Sequence, residues 1–378
     1  MAWKDRIKLY QAIEAHRQCP LIVYVTSKRA GVVSSMANDA LPSIIEQLDA
    51  LPATTKLDLL IVSYGGDPMV AWRIMNLIRQ RDIENVSVLI PQSAYSAATL
   101  LALGANEIVI HPNGHLGPVD MQIRTVGDGG HAKSFSTEDI SAFLDFVREN
   151  LKITDQRHVR RLFEVVCAEV GTLGIGFTAR SSRLAVDLGE RLLEMHMKDE
   201  ESRPKRRSIV ENMSRIQFQS HAYPVSRSEA IALDLPVKPK RDVPLEKLMW
   251  EAWLHIEKDL QEREPFDPIH ELAKSAEATK LLGPVPQMDL PATAGAITAS
   301  FSTTLDDVKK HTTTHVGAVD FAHIGAIVES SRCASAHMIK GKILATRMPY
   351  MSIDYNLVTT SKLWEKLEAE PPAKKGTL

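Results

Sequence analysis

The chain has 378 residues, of which 44% are apolar and 24% charged, close to the average for globular proteins. Lys plus Arg number 45 and Asp plus Glu number 47, so net charge gives no reason to expect a nucleic-acid partner. The three cysteines lie far apart and form no CxxC pair, which argues against a disulfide framework and a thiolate zinc site. We therefore expect no cofactor and a reducing cytosol.

The apolar stretches of the chain are short. None approaches the ~20 residues that span a bilayer. The first residues carry mixed charge and lead into no apolar segment of the kind found in signal peptides. These patterns predict a soluble cytoplasmic protein without a membrane anchor.

Strand and helix patterns alternate over residues 1–125. Short apolar, mostly β-branched runs predict buried strands at 20–26, 56–63, 85–90 and 107–110. Apolar residues at helical spacing predict helices between them, at 38–51, 67–81 and 96–104. Apolar strands that alternate with helices are typical of an α/β fold with a mainly parallel sheet covered on both faces.

The remainder of the chain divides less clearly. Residues 136–200 have helical spacing, 200–207 are charged and predict an exposed connection, and a further helix is expected over 245–264. Residues 265–296 are rich in Pro, Ala and Gly. We therefore predict one domain over 1–264, a linker at 265–296, and a small C-terminal α+β module of unknown role at 297–378.

Two local motifs follow neighbouring predicted strands. Residues 63–68 read Ser-Tyr-Gly-Gly-Asp-Pro, and glycines in such a turn permit positive φ and close approach of a ligand. Ser96 stands at the start of a helix of small residues, beside free backbone N–H groups and the positive end of the helix dipole. Such N–H groups stabilise an oxyanion on a carbonyl that the serine attacks. An ordinary tight turn and an ordinary N-cap serine, with Ser93 as a competing cap, are the alternatives.

A third motif, Leu-Gly-Pro-Val-Asp at residues 116–120, follows the fourth strand. The ordered set of Gly-Gly-Asp, Tyr-Ser-Ala-Ala and Leu-Gly-Pro-Val-Asp resembles the serine dehydrogenase proteinase family. The resemblance covers residues 20–125 and resumes at 220–235, which contain His-Ala-Tyr-Pro. It implies a Clp/crotonase-like fold, a repeated β-β-α superhelix, as in the Clp proteases and signal peptide peptidases.

The resemblance implies Ser96 as nucleophile, Asp120 as carboxylate and His221 as base. A serine hydroxyl needs an imidazole to take its proton, and the imidazole needs a carboxylate to hold its tautomer. The N–H of Ala97 and that of Gly65 or Gly66 would then form the oxyanion hole.

Two features depart from the family pattern or compete with it. Members commonly have glycine two residues after the serine, where this chain has Ala98, and this restricts the backbone. Related signal peptide peptidases use a Ser–Lys dyad, and Lys133 is the lysine at a comparable distance from Ser96. A basic lysine needs a pKa lowered by burial, whereas the residues around Lys133 are polar, so it is the alternative base only.

The sequence thus predicts a serine endopeptidase that cleaves peptides or unfolded segments through an acyl-enzyme. No GxxxxGK[ST] motif is present, so we expect an ATP-independent enzyme. The resemblance implies a homo-oligomer. A crotonase-like acyl-thioester enzyme with the same oxyanion hole and a catalytically silent scaffold are the competing hypotheses. The histidine pairs at 111/115 and 311/315 do not have the surroundings of a metal site.

Overall fold

Four parallel strands form the centre of the protein in the computed structural model of the chain. The structure describes residues 3–119, 122–126, 132–214, 222–276, 314–315, 317–348 and 352–367. Within these ranges the helices are α1 (Trp3–Arg17), α2 (Leu41–Asp49), α3 (Pro68–Arg79), α4 (Ala97–Leu103), α5 (Thr137–Asp145), α6 (Gln156–Val170), α7 (Thr172–Glu194), α8 (Arg203–Ser214), α9 (Arg227–Ala232), α10 (Val243–Asp259) and α11 (Pro268–Ala273).

The described strands fall into one large sheet and two short pairs. They are β1 (Leu21–Thr26), β2 (Lys56–Val62), β3 (Asn85–Ile90), β4 (Ser93–Ala94), β5 (Glu107–Ile110), β6 (His115–Leu116), β7 (Gln122–Val126), β8 (Ala132–Ser136), β9 (Thr314–His315), β10 (Val319–Glu329), β11 (Ala334–Arg347) and β12 (Ile353–Lys366).

The large sheet has the order β12-β11-β10-β1-β2-β3-β5, with β9 beside β11. Strands β1, β2, β3 and β5 pair in parallel, whereas β10, β11 and β12 add to the edge of β1 as an antiparallel meander. The fold is therefore mixed α/β with parallel strands at its centre, as the alternation of strand and helix patterns predicted.

Side chains of the parallel strands alternate between two cores, because successive residues of a strand point to opposite faces. In β1, Ile22 and Tyr24 pack with α2, α3 and α4, the helices that connect the parallel strands. Leu21, Val23 and Val25 pack on the other face with α1 and α10. Because both faces are covered, these strands read as continuous apolar runs rather than alternating ones.

The predicted elements of residues 1–125 are confirmed, with ends within three residues. The helix predicted over 67–81 begins after Asp67, whose carboxylate accepts a hydrogen bond from the N–H of Met69 at 2.9 Å. Pro68 occupies the first helical position, where an N–H has no partner to lose. The helix expected to reach residue 264 is α10, which ends five residues earlier.

Most of residues 200–207 are exposed, as predicted, but the segment is helical rather than an irregular connection. A 3₁₀ turn leads into α8 there, and Pro204 lies in the first turn of that helix, where it is tolerated. Arg206 is only 4% exposed, and its guanidinium donates to the carbonyl of Met197 at 2.6 Å. The charged composition of the segment did not indicate a helix. Arg206 is nevertheless buried, because its guanidinium bonds to backbone carbonyl groups.

The described strands of the C-terminal region join the same sheet as the N-terminal strands. Residues 23–26 of β1 pair with residues 326–329 of β10, and Ile327 and Ala336 pack into the same core as α1 and α10. The division at 264 and 297 stays a prediction, and most of the predicted linker lies outside the described residues.

Within the described ranges, no single helix has the length and apolar character needed to cross a membrane. Helices α6 and α7 satisfy that test only as a pair, and they meet at a bend of 93°.

A buried ion-pair network joins α1, α10 and β10. Arg6 is 1% exposed, and its guanidinium donates to Glu329 at 2.7 and 3.0 Å and to Asp259 at 2.6 Å. The hydroxyl of Tyr10 also donates to Glu329, which is fully buried. Removal of one member of such a network leaves an uncompensated charge in the core.

We expect Glu329→Gln to lower the free energy of unfolding by about 3 kcal/mol, because Arg6 then loses its buried carboxylate. Urea unfolding of the full chain measures the loss. Glu365→Gln is the control, since its ion pair with Lys340 is exposed on the sheet and contributes at most ~1 kcal/mol. Equal losses in the two variants would contradict this account of the network.

Candidate active site

Ser96 stands at the point where β4 ends and α4 begins, at the N-cap position of that helix. Every residue of α4 is buried, because its small apolar side chains pack closely into the core. The Ser96 side chain makes no capping hydrogen bond and is partly exposed. Its hydroxyl therefore differs from that of an ordinary N-cap serine, which is used to hold the first turn of the helix.

The backbone of Ser96 is strained, with φ of +52° and ψ of −115°. L-residues rarely adopt such a conformation, which costs on the order of 1–3 kcal/mol and persists only where the surroundings enforce it. The other described non-glycine residues with positive φ all follow the carboxyl end of a helical segment: Gln18, Asp82, Lys152, Asp234 and Gln261. Ser96 has positive φ at the beginning of a helix, where helix termination offers no explanation.

Gly65 lies against the backbone of Ser96 and its neighbours. A Cβ on Gly65 would stand 2.6 Å from the carbonyl oxygen of Tyr95 and 2.9 Å from both the nitrogen of Ala97 and the Cβ of Ser96. The φ of Gly65 is +93°, which also favours glycine. Only a residue without a side chain fits here, so the turn after β2 and the start of α4 are in direct contact.

The N–H of Ala97 follows Ser96 directly in the chain, and the N–H of Gly66 follows Gly65, which contacts Ser96. Gly65 donates its N–H to the hydroxyl of Ser63 at 3.0 Å, so that group is occupied. Among the described residues, no acceptor is found for the N–H of Gly66 or for that of Ala97. Unpaired N–H groups at the start of a helix are suited to hold a negatively charged oxygen.

Hydroxyl groups at the carboxyl ends of β1 and β2 support the turn. The hydroxyl oxygens of Thr26 and Ser63 lie 2.7 Å apart, and both residues are buried. The N–H of Ser63 donates to the carbonyl of Ser93 at 3.0 Å, and that of Tyr95 donates to the carbonyl of Ser63 at 3.0 Å. These bonds fix the turn after β2 to the segment that leads into Ser96.

A short ladder continues from this segment to two later parts of the chain. Ala94 pairs with Leu116 in the β4–β6 pair, and Leu116 forms a bridge with Val225. The N–H of Ser96 donates to the carbonyl of Pro118 at 3.3 Å. The residues just before position 120 and just after position 221 are thus connected to the segment that contains Ser96.

The second connection runs through Tyr95. Its hydroxyl donates to the carbonyl of Ala222 at 3.3 Å. Its ring also lies against Gly117, where any side chain would overlap the ring. The flanks of positions 120 and 221 therefore both contact the residue that precedes Ser96.

Asp120 and His221 themselves lie outside the described residues, and their roles stay predictions. Lys133 lies in β8, where it pairs with Thr125 of β7, and its side chain is outside the described residues too. The structure therefore describes the backbone around Ser96, Gly65, Gly66 and Ala97, but not the side chains proposed to act as base or carboxylate.

Ala98 does not restrict the backbone in the way its departure from the family pattern suggested. It lies in the first turn of α4, is fully buried, and donates its N–H to the carbonyl of Tyr95 at 2.9 Å. Its φ is not positive, so an L-residue is accommodated without strain. Alanine also has a higher helix propensity than glycine.

Aromatic and basic side chains cluster around Tyr95. The ring of Tyr95 makes edge contacts with those of Tyr64 and His115, each at 5.3 Å between centroids. The ammonium of Lys28 lies 5.7 Å from the centre of the Tyr64 ring and 5.5 Å from that of Trp253. Burial lowers the pKa of Lys28, and burial together with the charge of Lys28 lowers the pKa of His115.

Sequence reasoning missed Lys28 as a neighbour of the site. The available signal was its position directly after a buried parallel strand, since ligands of open α/β sheets bind at the carboxyl ends of their strands. The histidines considered as a metal pair have other contacts: His111 stacks on Trp250 at 4.9 Å, and its Nδ1 accepts from the N–H of Asn113.

Residues 21–142 match a family model described as ClpP-like SDH-type serine proteinase. The match confirms the family resemblance that the three motifs carried, over about a third of the chain. The matched segment begins at β1 and contains both glycines of the turn and Ser96.

The chain is also similar to two uncharacterized proteins of Methanocaldococcus jannaschii. One is 35% identical over 80 residues, or 21% of this chain and 28% of the relative. The other is 32% identical over 80 residues, or 21% of this chain and 27% of the relative. The chain thus spans about a quarter of the length of the relatives it matches.

We expect Gly65→Ala to destabilise the chain by more than ~1 kcal/mol, because the added methyl group meets backbone atoms at a positive φ. Thermal or urea unfolding measures the change. Gly176→Ala is the control, because a Cβ at this position of helix α7 would meet open space. We expect this variant to be more stable by up to ~1 kcal/mol, since alanine has the higher helix propensity. An unchanged stability of Gly65→Ala would refute the close contact with Ser96.

Proposed function

We propose that the chain is an ATP-independent serine endopeptidase that hydrolyses peptide bonds through an acyl-enzyme on Ser96. The family match over residues 21–142 supports the class of enzyme, a serine proteinase. The observation that carries the assignment to Ser96 is its strained backbone at the start of α4. Its hydroxyl makes no capping hydrogen bond, and the described residues offer no acceptor for the N–H of Ala97.

The reaction would proceed in two steps. The Oγ of Ser96 attacks the carbonyl carbon of the scissile peptide while His221 takes the hydroxyl proton, and Asp120 holds the imidazole in the required tautomer. His221 then gives the proton to the leaving amine, which departs and leaves an ester on Ser96. Water then hydrolyses that ester, with His221 as the base, and the free hydroxyl of Ser96 is regenerated.

The oxyanion that forms during each step would be held by the N–H groups of Gly66 and Ala97. The N–H of Gly65 is the weaker candidate, because it already donates to the hydroxyl of Ser63. Removal of one such donor in a serine protease typically costs about 100- to 1000-fold in kcat, so a rigid turn is valuable here.

Hydrogen bonds at the flanks support the arrangement Ser96, Asp120 and His221. Two residues before position 120, the carbonyl of Pro118 accepts from the N–H of Ser96. One residue after position 221, the carbonyl of Ala222 accepts from the hydroxyl of Tyr95. These contacts of the neighbouring residues support the proposal that both positions lie near Ser96, whereas Lys133 belongs to the separate β7–β8 hairpin.

We also propose the finer features of the family for this chain: the β-β-α superhelix of Clp and crotonase proteins, and a homo-oligomer that encloses the site. Crossover helices α2, α3 and α4 all packed in one core support the first. The exposed ring of Tyr64, which packs on the buried Tyr95, is a candidate contact for a peptide or unfolded-protein substrate.

A fluorophosphonate probe should label the full chain on Ser96, because the activated oxygen displaces fluoride from phosphorus. Ser96→Ala should lose labelling and peptide cleavage. Ser93→Ala is the control: it is three residues away, is fully buried and donates its hydroxyl to Gln92. Unchanged labelling of Ser96→Ala, confirmed by mass spectrometry of the modified peptide, would refute the proposal.

The base is tested by His221→Ala and Lys133→Ala, each with the same probe. We expect His221→Ala to reduce the labelling rate at least ~1000-fold, since the triad acts as a unit, and Lys133→Ala to leave it unchanged. The reverse result would assign a Ser–Lys dyad.

A further inference from the structure

Strand β12 forms one edge of the large sheet and has a partner on one side only. Its fourteen residues pair with β11, and no described strand pairs with its other side. Such an edge presents a row of backbone donors and acceptors that are ready to pair with another strand. Natural proteins usually keep edges of this kind short, charged or covered.

Apolar side chains of β12 are unusually exposed for an edge strand. Leu363 is 64% exposed, Tyr355 and Leu357 are each 45% exposed, and Val358 is 44% exposed. The strand has no proline to block further pairing. Its length and its apolar character therefore favour an occupied edge.

The pairing with β11 shows which side chains share a face. A β-bulge at position 360 shifts the register, so Leu357 and Trp364 lie on one face of the sheet. Val358 and Leu363 lie on the other face. Each face of the strand therefore has an apolar residue on both sides of the bulge.

We propose that β12 pairs antiparallel with β12 of a second copy of this chain, about a two-fold axis near the bulge. In this register Val358 lies opposite Leu363 of the partner subunit, and Leu357 lies opposite Trp364 of the partner subunit. The two-fold axis makes each pair occur twice, as in other isologous interfaces. Cross-strand apolar pairs are the contacts that stabilise antiparallel sheets.

Neighbouring registers are less favourable. A shift of two residues in one direction brings Asp354 opposite Glu365 of the partner subunit, and directly opposed like charges destabilise a sheet. The same shift in the other direction sets Val358 opposite Glu365 of the partner subunit and leaves the apolar residues without apolar partners. Of these three registers, only the proposed one matches apolar residues on both faces. This self-complementarity favours a second copy of the chain over an unrelated strand.

Sedimentation velocity of the full chain over a range of concentrations tests the interface. Val358→Lys and Leu363→Glu should each raise the dissociation constant at least ~10-fold, since each introduces an unpaired charge twice per interface. The double variant Val358→Lys/Leu363→Glu should recover association, because in the proposed register the two introduced charges lie opposite each other.

Leu344→Lys is the matched control. Leu344 is 44% exposed on the same hairpin but lies in β11, which β12 separates from the edge. Circular dichroism checks that every variant is folded, and fluorophosphonate labelling of Ser96 is read separately, so a failure of the peptidase proposal would leave this result interpretable.

A chain that is monomeric at all concentrations would overturn the proposal. So would an oligomer that tolerates both single substitutions, because association would then use another surface. Loss in both single variants without recovery in the double variant would overturn the register. Association only with an added unfolded peptide would assign the edge to substrate strands instead of a second copy.

Discussion

The structure around the candidate site depends on one backbone conformation, the positive φ of Ser96. The surroundings that enforce it are buried and close-fitting: Gly65 lies against the serine, Tyr95 is fixed by bonds to the turn after β2, and α4 packs in the core. Strain of this kind requires compensating contacts elsewhere. It turns the hydroxyl away from the capping role, and among the described residues the first N–H of the helix has no acceptor.

The parallel sheet supplies those contacts because its carboxyl ends meet along one edge. Thr26, Ser63 and Ser93 follow or end neighbouring strands, and their hydrogen bonds join into one network. The short β4–β6 ladder and the bonds beside it extend that network to residues 115–118 and to Val225. Segments far apart in sequence thereby approach a single serine, which local sequence patterns alone do not determine.

Much of the core and the position of Ser96 at the start of α4 could be predicted from sequence, since periodicity and the Gly-Gly and Ser-Ala-Ala motifs are local. The two-residue strands β4 and β6 have no periodicity to detect, and the contact of Lys28 with Tyr64 depends on tertiary packing. The sequence predicted a separate C-terminal α+β module, but not that β10 and β11 extend the edge of β1. Helix α8 was not predicted because its first residues are charged, and a sequence pattern does not show that Arg206 is buried against backbone carbonyls.

The stability of Ser96→Gly relative to Ser96→Ala tests the central claim most directly, by urea unfolding of the full chain. Glycine adopts the observed φ and ψ without strain, whereas alanine retains the strain of an L-residue. We predict that the glycine variant is more stable than the alanine variant by about 1 kcal/mol. An ordinary N-cap also prefers glycine to alanine, so the diagnostic result is the opposite order: an alanine variant more stable than the glycine variant would contradict the account.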